Sequence, residues 1–493
     1  MASTVQEDAS TRTQQSPLAR QRAKEQGEDT AKTEWFPLGY KEGFSQWWAG
    51  LTPAVTEHRV LSFIPYLQSA PTQMQTGLTT GAESPDAANG SEESESEFPD
   101  VKPVTSTSTN DPYGPRIWKS ELVKLSGRNR ALNEFSIERV GENAEHNLVM
   151  LHGYGAGLGF FYRNFEPLSR RHGWRLYSLD LLGMGRSSRP RFRIDAKDHD
   201  GKIREAENWF VDALEEWRVA RGLSTFTLLG HSLGGYLAVA YALKYPGHLD
   251  KLILASPVGV PEDPSAVAAA LPDPDDATAA APPDAASDER QAAGARRRPR
   301  WLTYLWDANI SPFSLVRWAG PLGPRLVSGW TSRRFAHLPA DEFQALHDYS
   351  YSLFRQKGSG EYALAYILTP GVFARSPLIR RIRGVGRQDV VREDGSEREK
   401  GLPVVFLYGD HDWMDVKGGF DAKDILDEEK KAVTEGLSVQ EQAKDNGSAR
   451  VVIIDKAGHH VYLDNPNRFN HIVEEEMEGV ERRARRAARE KAK

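Results

Sequence analysis

The 493-residue chain contains no cysteine. Disulfide scaffolds, thiolate nucleophiles and cysteine-ligated zinc or iron–sulfur sites are therefore excluded. Any run of about 18 apolar residues is also missing, so no membrane-spanning helix is expected. Neither sign of charge dominates, since 63 Lys and Arg against 69 Asp and Glu leave a formal net charge of −6. That balance carries no nucleic-acid footprint. The N-terminal stretch lacks the apolar core of a secretory signal. It also mixes acids with bases where a mitochondrial transit peptide is poor in acids. The expectation is an intracellular protein, soluble or peripheral to a membrane.

Composition divides the chain into segments. Residues 1–34 are polar and mixed in charge and read as a disordered tail. Residues 35–69 are crowded with aromatics, and Phe44, Trp47, Trp48 and Leu51 fall at i, i+3, i+4 and i+7. That spacing gives one apolar stripe on a short helix ending near Pro53. The stripe suits either the headgroup level of a membrane or packing against the rest of the protein. Residues 70–114 read as a disordered acidic linker, with seven acids and no base in 83–100.

From 115 onward, apolar runs of strand length each feed a glycine-rich turn, separated by helical stretches. These runs are Asn147–Leu151, Arg175–Leu179, Phe226–Leu229, Leu252–Ala255, Pro403–Tyr408 and Arg450–Ile454, preceded by a hairpin over roughly 118–140. The alternation predicts a mostly parallel α/β sheet. Residues 115–256 and 401–475 would form its two parts. Residues 257–400 would be an inserted helical lid that carries a disordered Ala/Pro/Asp-rich stretch at 262–300 and a polar one near 385–400. A basic helix, 476–493, would close the chain. It is a candidate contact for anionic lipid or a solvated charged face.

Gly230-His231-Ser232-Leu233-Gly234 is a G-x-S-x-G pentapeptide between a strand and a helix. A serine at such a bend is held above the sheet, and the following helix N-terminus favours developing negative charge. Serine needs a base, and the base needs an orienting acid. In chain order these should follow later strands. Asp410-His411-Asp412-Trp413-Met414-Asp415 follows one, and Gly458-His459-His460 follows the next. His459 is the candidate base. Asp412 is the candidate acid, with Asp415 as the alternative, while Asp410 reads as a solvated turn residue. His460 would pack or face the lid. Oxyanion donors would be the amides of Tyr154, in the loop His152–Gly157, and Leu233. That loop lacks the Lys-Ser/Thr ending of a nucleotide-binding loop. The chemistry requires no metal and no organic cofactor.

Several segments carry a resemblance. They are His152–Gly159, Asp180–Ser187, Gly230–Gly235, Ala319–Gly323 and Gly458–Asp464. Over about 117–475, the two polar inserts excluded, the chain resembles one α/β-hydrolase subfamily. That subfamily holds the fungal mitochondrial cardiolipin-specific deacylases, the plant lysophosphatidic acid acyltransferase/phospholipases and the mammalian lipid-droplet lipase co-activator. The resemblance implies deacylation of glycerophospholipids, cardiolipin among them, at a membrane or lipid-droplet surface. It also implies, in some members, acyl transfer through an H-x4-D element, matched by His459 and Asp464. By its own position, Asp464 suits the N-cap of the helix that follows better than a direct catalytic role. The co-activator has lost its serine, whereas Ser232 is kept here. An acyl-CoA-dependent lysophosphatidic acid acyltransferase and a non-catalytic lipid-binding scaffold are the rival expectations. Mitochondrion and lipid droplet are the compartments implied, and no protein partner is specified.

Overall fold

A computed structural model of the chain describes residues 36–72, 102–263, 306, 308–370, 372–392 and 395–491. The tail 1–34, the acidic run 83–100 and nearly all of the insert 262–300 lie outside these residues.

Eleven strands are described. They are β1 (Val104–Thr107), β2 (Arg116–Lys124), β3 (Ala131–Arg139), β4 (His146–Leu151), β5 (Trp174–Leu179), β6 (Phe226–His231), β7 (Leu249–Ala255), β8 (Asp389–Arg392), β9 (Gly395–Arg398), β10 (Pro403–Gly409) and β11 (Ser448–Ile454). Nine of them form one sheet in the order β1-β2-β3-β5-β4-β6-β7-β10-β11. The pairs from β1 to β5 are antiparallel, and those from β5 to β11 are parallel. β6 lies in the middle of the parallel part, where buried runs such as Phe-Thr-Leu-Leu are covered on both faces.

Helices α1 (Tyr40–Trp48) and α2 (Pro53–Leu61) precede the sheet. Those after it begins are α3 (Tyr162–Leu168), α4 (His199–Ala220) and α5 (Leu233–Lys244). Between β7 and β10 stand α6 (Pro312–Trp318), α7 (Gly323–Phe335) and α8 (Ala340–Phe354), helices of the inserted segment, for which the name lid is kept. The last part of the chain adds α9 (Val416–Thr434), α10 (Val461–Asp464) and α11 (Pro466–Lys491). Among the described residues no helix is long and apolar enough to cross a membrane.

The structure departs from the sequence reading in three places. Residues 102–114 are not linker, because β1 pairs with β2 in register from Val104 opposite Ser120. Val-Thr-Ser-Thr buries little, so ladder hydrogen bonds rather than apolar content order it. The polar stretch near 385–400 holds the β8–β9 hairpin. No boundary falls at 475/476, since α11 runs through it with Phe469, Ile472, Val473, Met477 and Val480 buried on one face. Each such side chain contributes about 1.5–3 kcal/mol of burial. Several of its distal bases are matched by acids four residues away, Arg482 with Glu478 and Arg485 with Glu481 among them.

The aromatic N-terminal segment is built into the molecule. Thr52 caps α2, whose first residue is Pro53. Glu57 on α2 is buried and accepts from Arg186 (2.9 Å), Asn133 (3.2 Å) and the lid residue Tyr349 (3.2 Å). Burial pushes its carboxyl up to about 7, against the pull of the Arg186 guanidinium. Glu57→Ala leaves Arg186 buried without this carboxylate. We expect it to cost about 3–5 kcal/mol in urea unfolding, with Glu57→Gln milder. Equal stability of the Ala variant and the parent would contradict that account.

Candidate active site

Ser232 ends the bend between β6 and α5 with φ 53° and ψ −114°. This left-handed backbone costs a non-glycine residue about 1–3 kcal/mol, so its surroundings must enforce it. They do. A Cβ at Gly230 would stand 2.3 Å from the Gly234 carbonyl oxygen, and one at Gly234 would stand 2.6 Å from that of Leu151. Only glycine lets these backbones approach. The Ser232 amide donates to Ala255 O on β7 at 2.9 Å.

The turn after β11 brings His459 to this serine across 227 residues, with Nε2 3.0 Å from Ser232 Oγ. Its Nδ1 lies 3.1 Å from Asp412 Oδ1 in the loop after β10. Asp412 also accepts from the Met414 amide at 3.1 Å. Burial raises the Asp412 carboxyl, but the charge of His459 and its hydrogen bond outweigh burial and leave it lowered. The alternative acid Asp415 instead caps α9, accepting from Lys417 N at 2.9 Å.

Asp410 is not merely a solvated turn residue. It accepts from the amides of Lys456 (2.9 Å) and Ala457 (3.0 Å), tying the acid loop to the histidine turn. Sequence reasoning also missed His231, whose Nε2 lies 2.9 Å from the carbonyl of His459 and donates to it. The pentapeptide hid this residue, because its variable second position carries no expectation. His460 is buried against the lid, with ring centroids 5.2 Å from Phe335 and 6.5 Å from Trp330.

The loop 152–157 lies close to Ser232. A Cβ at Gly153 would stand 2.9 Å from Ser232 Cβ. His152 fixes this loop from beneath, accepting from Leu181 N at Nε2 (3.1 Å), with Nδ1 2.8 Å from Gly153 O. The ring of Tyr154 stacks on the lid residue Phe313, centroids 4.8 Å apart. Among the described residues the amides of Tyr154 and Leu233 donate to no other backbone group outside regular elements.

Asp464 is not the helix cap. Asn465 fills that place, accepting from Arg468 N at 3.2 Å. One Asp464 oxygen accepts instead from Gly458 N at 2.9 Å. α1 ends at Trp48, short of the expected stop near Pro53, so Leu51 lies in the connection to α2; Trp47 and Leu51 are half-buried, while Phe44 is 50% and Trp48 74% exposed.

A strained serine on a strand–helix bend, an imidazole and a buried carboxylate from two later strand ends define an α/β hydrolase. A family model described as alpha/beta hydrolase fold matches residues 147–306. The 1-acylglycerol-3-phosphate O-acyltransferase of Arabidopsis thaliana is 35% identical over 358 residues, 71% of this chain and 70% of that protein. The 1-acylglycerol-3-phosphate O-acyltransferase ABHD5 of Mus musculus is 32% identical over 366 residues, 73% of this chain and 85% of that one. The (lyso)-N-acylphosphatidylethanolamine lipase of the same organism is 33% identical over 339 residues, covering 68% and 80%. The chain belongs to the α/β-hydrolase subfamily that holds these relatives.

Burial keeps several imidazoles uncharged. It lowers His152 to about 4, His347 to about 4 and His231 to about 3, the last also through the charge of His459. His460 is held well below its usual value by burial and then by His231. In the unfolded chain these groups take up protons near pH 6.5, whereas the folded chain resists until far lower. Stability is therefore present above about pH 6.5 and falls as pH drops through the window toward 4. The slope is up to about 1.4 kcal/mol per pH unit for each imidazole. Urea unfolding at pH 7.5, 6 and 5 checks this, and a flat profile would refute neutral burial.

Proposed function

We propose that the chain is a serine acyl hydrolase that deacylates glycerophospholipids. The observation that carries this reading is the continuous hydrogen-bonded chain Ser232–His459–Asp412, at 3.0 and 3.1 Å. Ser232 Oγ attacks the ester carbonyl while His459 Nε2 takes its proton. The imidazolium so formed faces Asp412, which fixes its tautomer and stabilises its charge. The amides of Leu233 and Tyr154 receive the oxyanion, each worth about 3–4 kcal/mol. Collapse of the tetrahedral species expels the lysophospholipid, to which His459 returns the proton. Water, deprotonated by His459, then attacks the acyl-serine, and the fatty acid leaves as His459 returns that proton to Ser232 Oγ.

A second reading, acyl transfer from acyl-CoA to a lysophospholipid, draws on the names of the relatives. It differs only in what forms and receives the acyl-serine. A non-catalytic scaffold would leave the strained Ser232 backbone and its three-residue chain without use. Cardiolipin as the substrate, and with it a mitochondrial location, is the narrower form of the first reading. Lipid analysis of cells lacking the chain tests that form.

The lipid must be met at its own surface. Helix α1 and the residues before it pack on the lid: Arg325 lies over the Tyr40 ring at 4.1 Å, Leu38 N donates to Ser328 Oγ (3.2 Å) and Arg325 Nη1 donates to Leu38 O (3.0 Å). Its other side exposes Phe44 and Trp48, and the neighbouring lid exposes Trp318 (70%), Leu322 and Leu315. Aromatics of this kind favour the headgroup region. One side of the stripe is thus seated on the lid, and the exposure of Phe44 and Trp48 on the other supports a contact with a membrane or droplet.

Ser232→Ala is expected to lower fatty-acid release from phospholipid vesicles by at least about 10⁴-fold with an unchanged melting temperature. Retained turnover would eliminate the mechanism. With labelled acyl-CoA and lysophosphatidate, a hydrolase yields free fatty acid, whereas labelled phosphatidate would favour the second reading. The triple variant F44A/W48A/W318A is expected to bind vesicles about tenfold or more weakly in sedimentation. Its turnover of a soluble short-chain ester should stay normal. Undiminished vesicle binding would remove the membrane role from this surface.

A further inference from the structure

The carboxylate of Asp464 has one oxygen in the hydrolase core and the other against the lid. Oδ2 accepts from the amide of Gly458, the residue just before His459, at 2.9 Å. Oδ1 lies 3.2 Å from Nε2 of His337, in the turn between α7 and α8. The Asp464 side chain is only 5% exposed. Its own amide bonds back to His460 O at 2.9 Å, so α10 and the histidine turn form one unit. Lid aromatics Phe335 and Trp330 bear on the same turn through His460. Meanwhile both nitrogens of the His459 ring are taken, one by Asp412 and the other by Ser232. No position on that ring remains for Asp464 to serve as acid, base or relay.

We infer that Asp464 is a positioning residue that couples the seating of the lid to the placement of His459, and takes no direct part in moving the acyl group. A hydrogen bond from a backbone amide to a carboxylate is roughly twice as strong as a neutral one. It holds the Gly458–His459 peptide where Nε2 meets Ser232 Oγ. A shift of about 1 Å in a reacting group costs roughly 10²-fold in rate. The second oxygen makes the same carboxylate sensitive to where the α7–α8 turn rests. This inference rests on the serine-hydrolase reading above.

Three variants of the full chain separate the two arms. The readouts are the rate of Ser232 labelling by a small fluorophosphonate, kcat and KM for vesicle phospholipid, and the ratio of acyl transfer to hydrolysis. Asp464→Ala should slow labelling and kcat by about 10–100-fold, with KM within about threefold. Hydrolysis and transfer should fall in the same proportion. Asp464→Asn keeps an acceptor for Gly458 and should recover most of the labelling rate, yet match His337→Ala in reduced lipid turnover. His337→Ala should label normally, and combining it with Asp464→Asn should add little further loss. Normal labelling and kcat in Asp464→Ala would overturn the inference. So would a loss of transfer with hydrolysis intact, which would give Asp464 a direct role. If Asp464→Ala fails to fold, Asp464→Asn decides, and normal lipid turnover in it and in His337→Ala would overturn the coupling. Failure of the underlying reading looks different, since Ser232→Ala would then still react with the fluorophosphonate.

Discussion

Everything at this site depends on holding one short turn, residues 457–460, against a strained serine on another part of the sheet. The turn has little regular structure of its own, so its position must come from outside. Asp410 accepts from the Ala457 amide, Asp464 from the Gly458 amide, and His231 donates to the His459 carbonyl. Asp412 then fixes the ring. Backbone and side chain of His459 are therefore held by separate groups, drawn from the loop after β10, from β6 and from α10. Such redundancy is what a proton transfer over about 3 Å needs, because thermal drift of the turn would otherwise lengthen the hydrogen bond.

How much of this can be read from residues alone varies with the range of the interaction. Ser232 is legible because its signals are local: a buried strand before it, an apolar helix after it, and glycines at both flanks. The parallel strands are legible for the same reason, as short apolar runs ended by turns. Choosing Asp412 over Asp415 is harder, since both occupy one loop and both suit a turn; only the structure reveals that Asp415 is spent on capping α9. Likewise Asp464 and Asn465 are adjacent and both are good caps, and the backbone path selects Asn465. His231 is opaque because its partner lies 228 residues away. Glu57, whose partner Arg186 lies 129 residues away, is opaque for the same reason. β1 is hidden because edge pairing needs no apolar pattern.

The N-terminal segment changes meaning once its neighbours are known. A stripe of aromatics on a short helix looks detachable, yet the helix after it inserts Glu57 among Arg186, Asn133 and Tyr349. Thr56 on the same helix bonds Ser352 of α8 at 2.7 Å. α1 and α2 thus join the exposed aromatics, the lid and the loop Asp180–Ser187 in one packed body. A surface that meets lipid through Phe44 and Trp48 would press on the lid itself. The lid in turn rests on the histidine turn through Phe335, Trp330 and His337. Force or order imposed at the surface has a continuous packed route to the base.

Two buried carboxylates show how the environment assigns roles to identical chemistry. Asp412 and Glu57 are both removed from water, and burial pushes both upward. Around Asp412 the charge of His459 and the hydrogen bonds win, leaving the carboxyl lowered, as the role proposed for it beside an imidazolium requires. Around Glu57 burial wins even beside Arg186, so proton and guanidinium compete for it near neutrality. In the proposed mechanism the first keeps its charge when the serine proton arrives. The second accepts hydrogen bonds from Arg186, Asn133 and Tyr349, which suits a joint rather than a reagent. Pairs of titratable groups driven apart in this way separate the chemistry of a site from the framework that carries it.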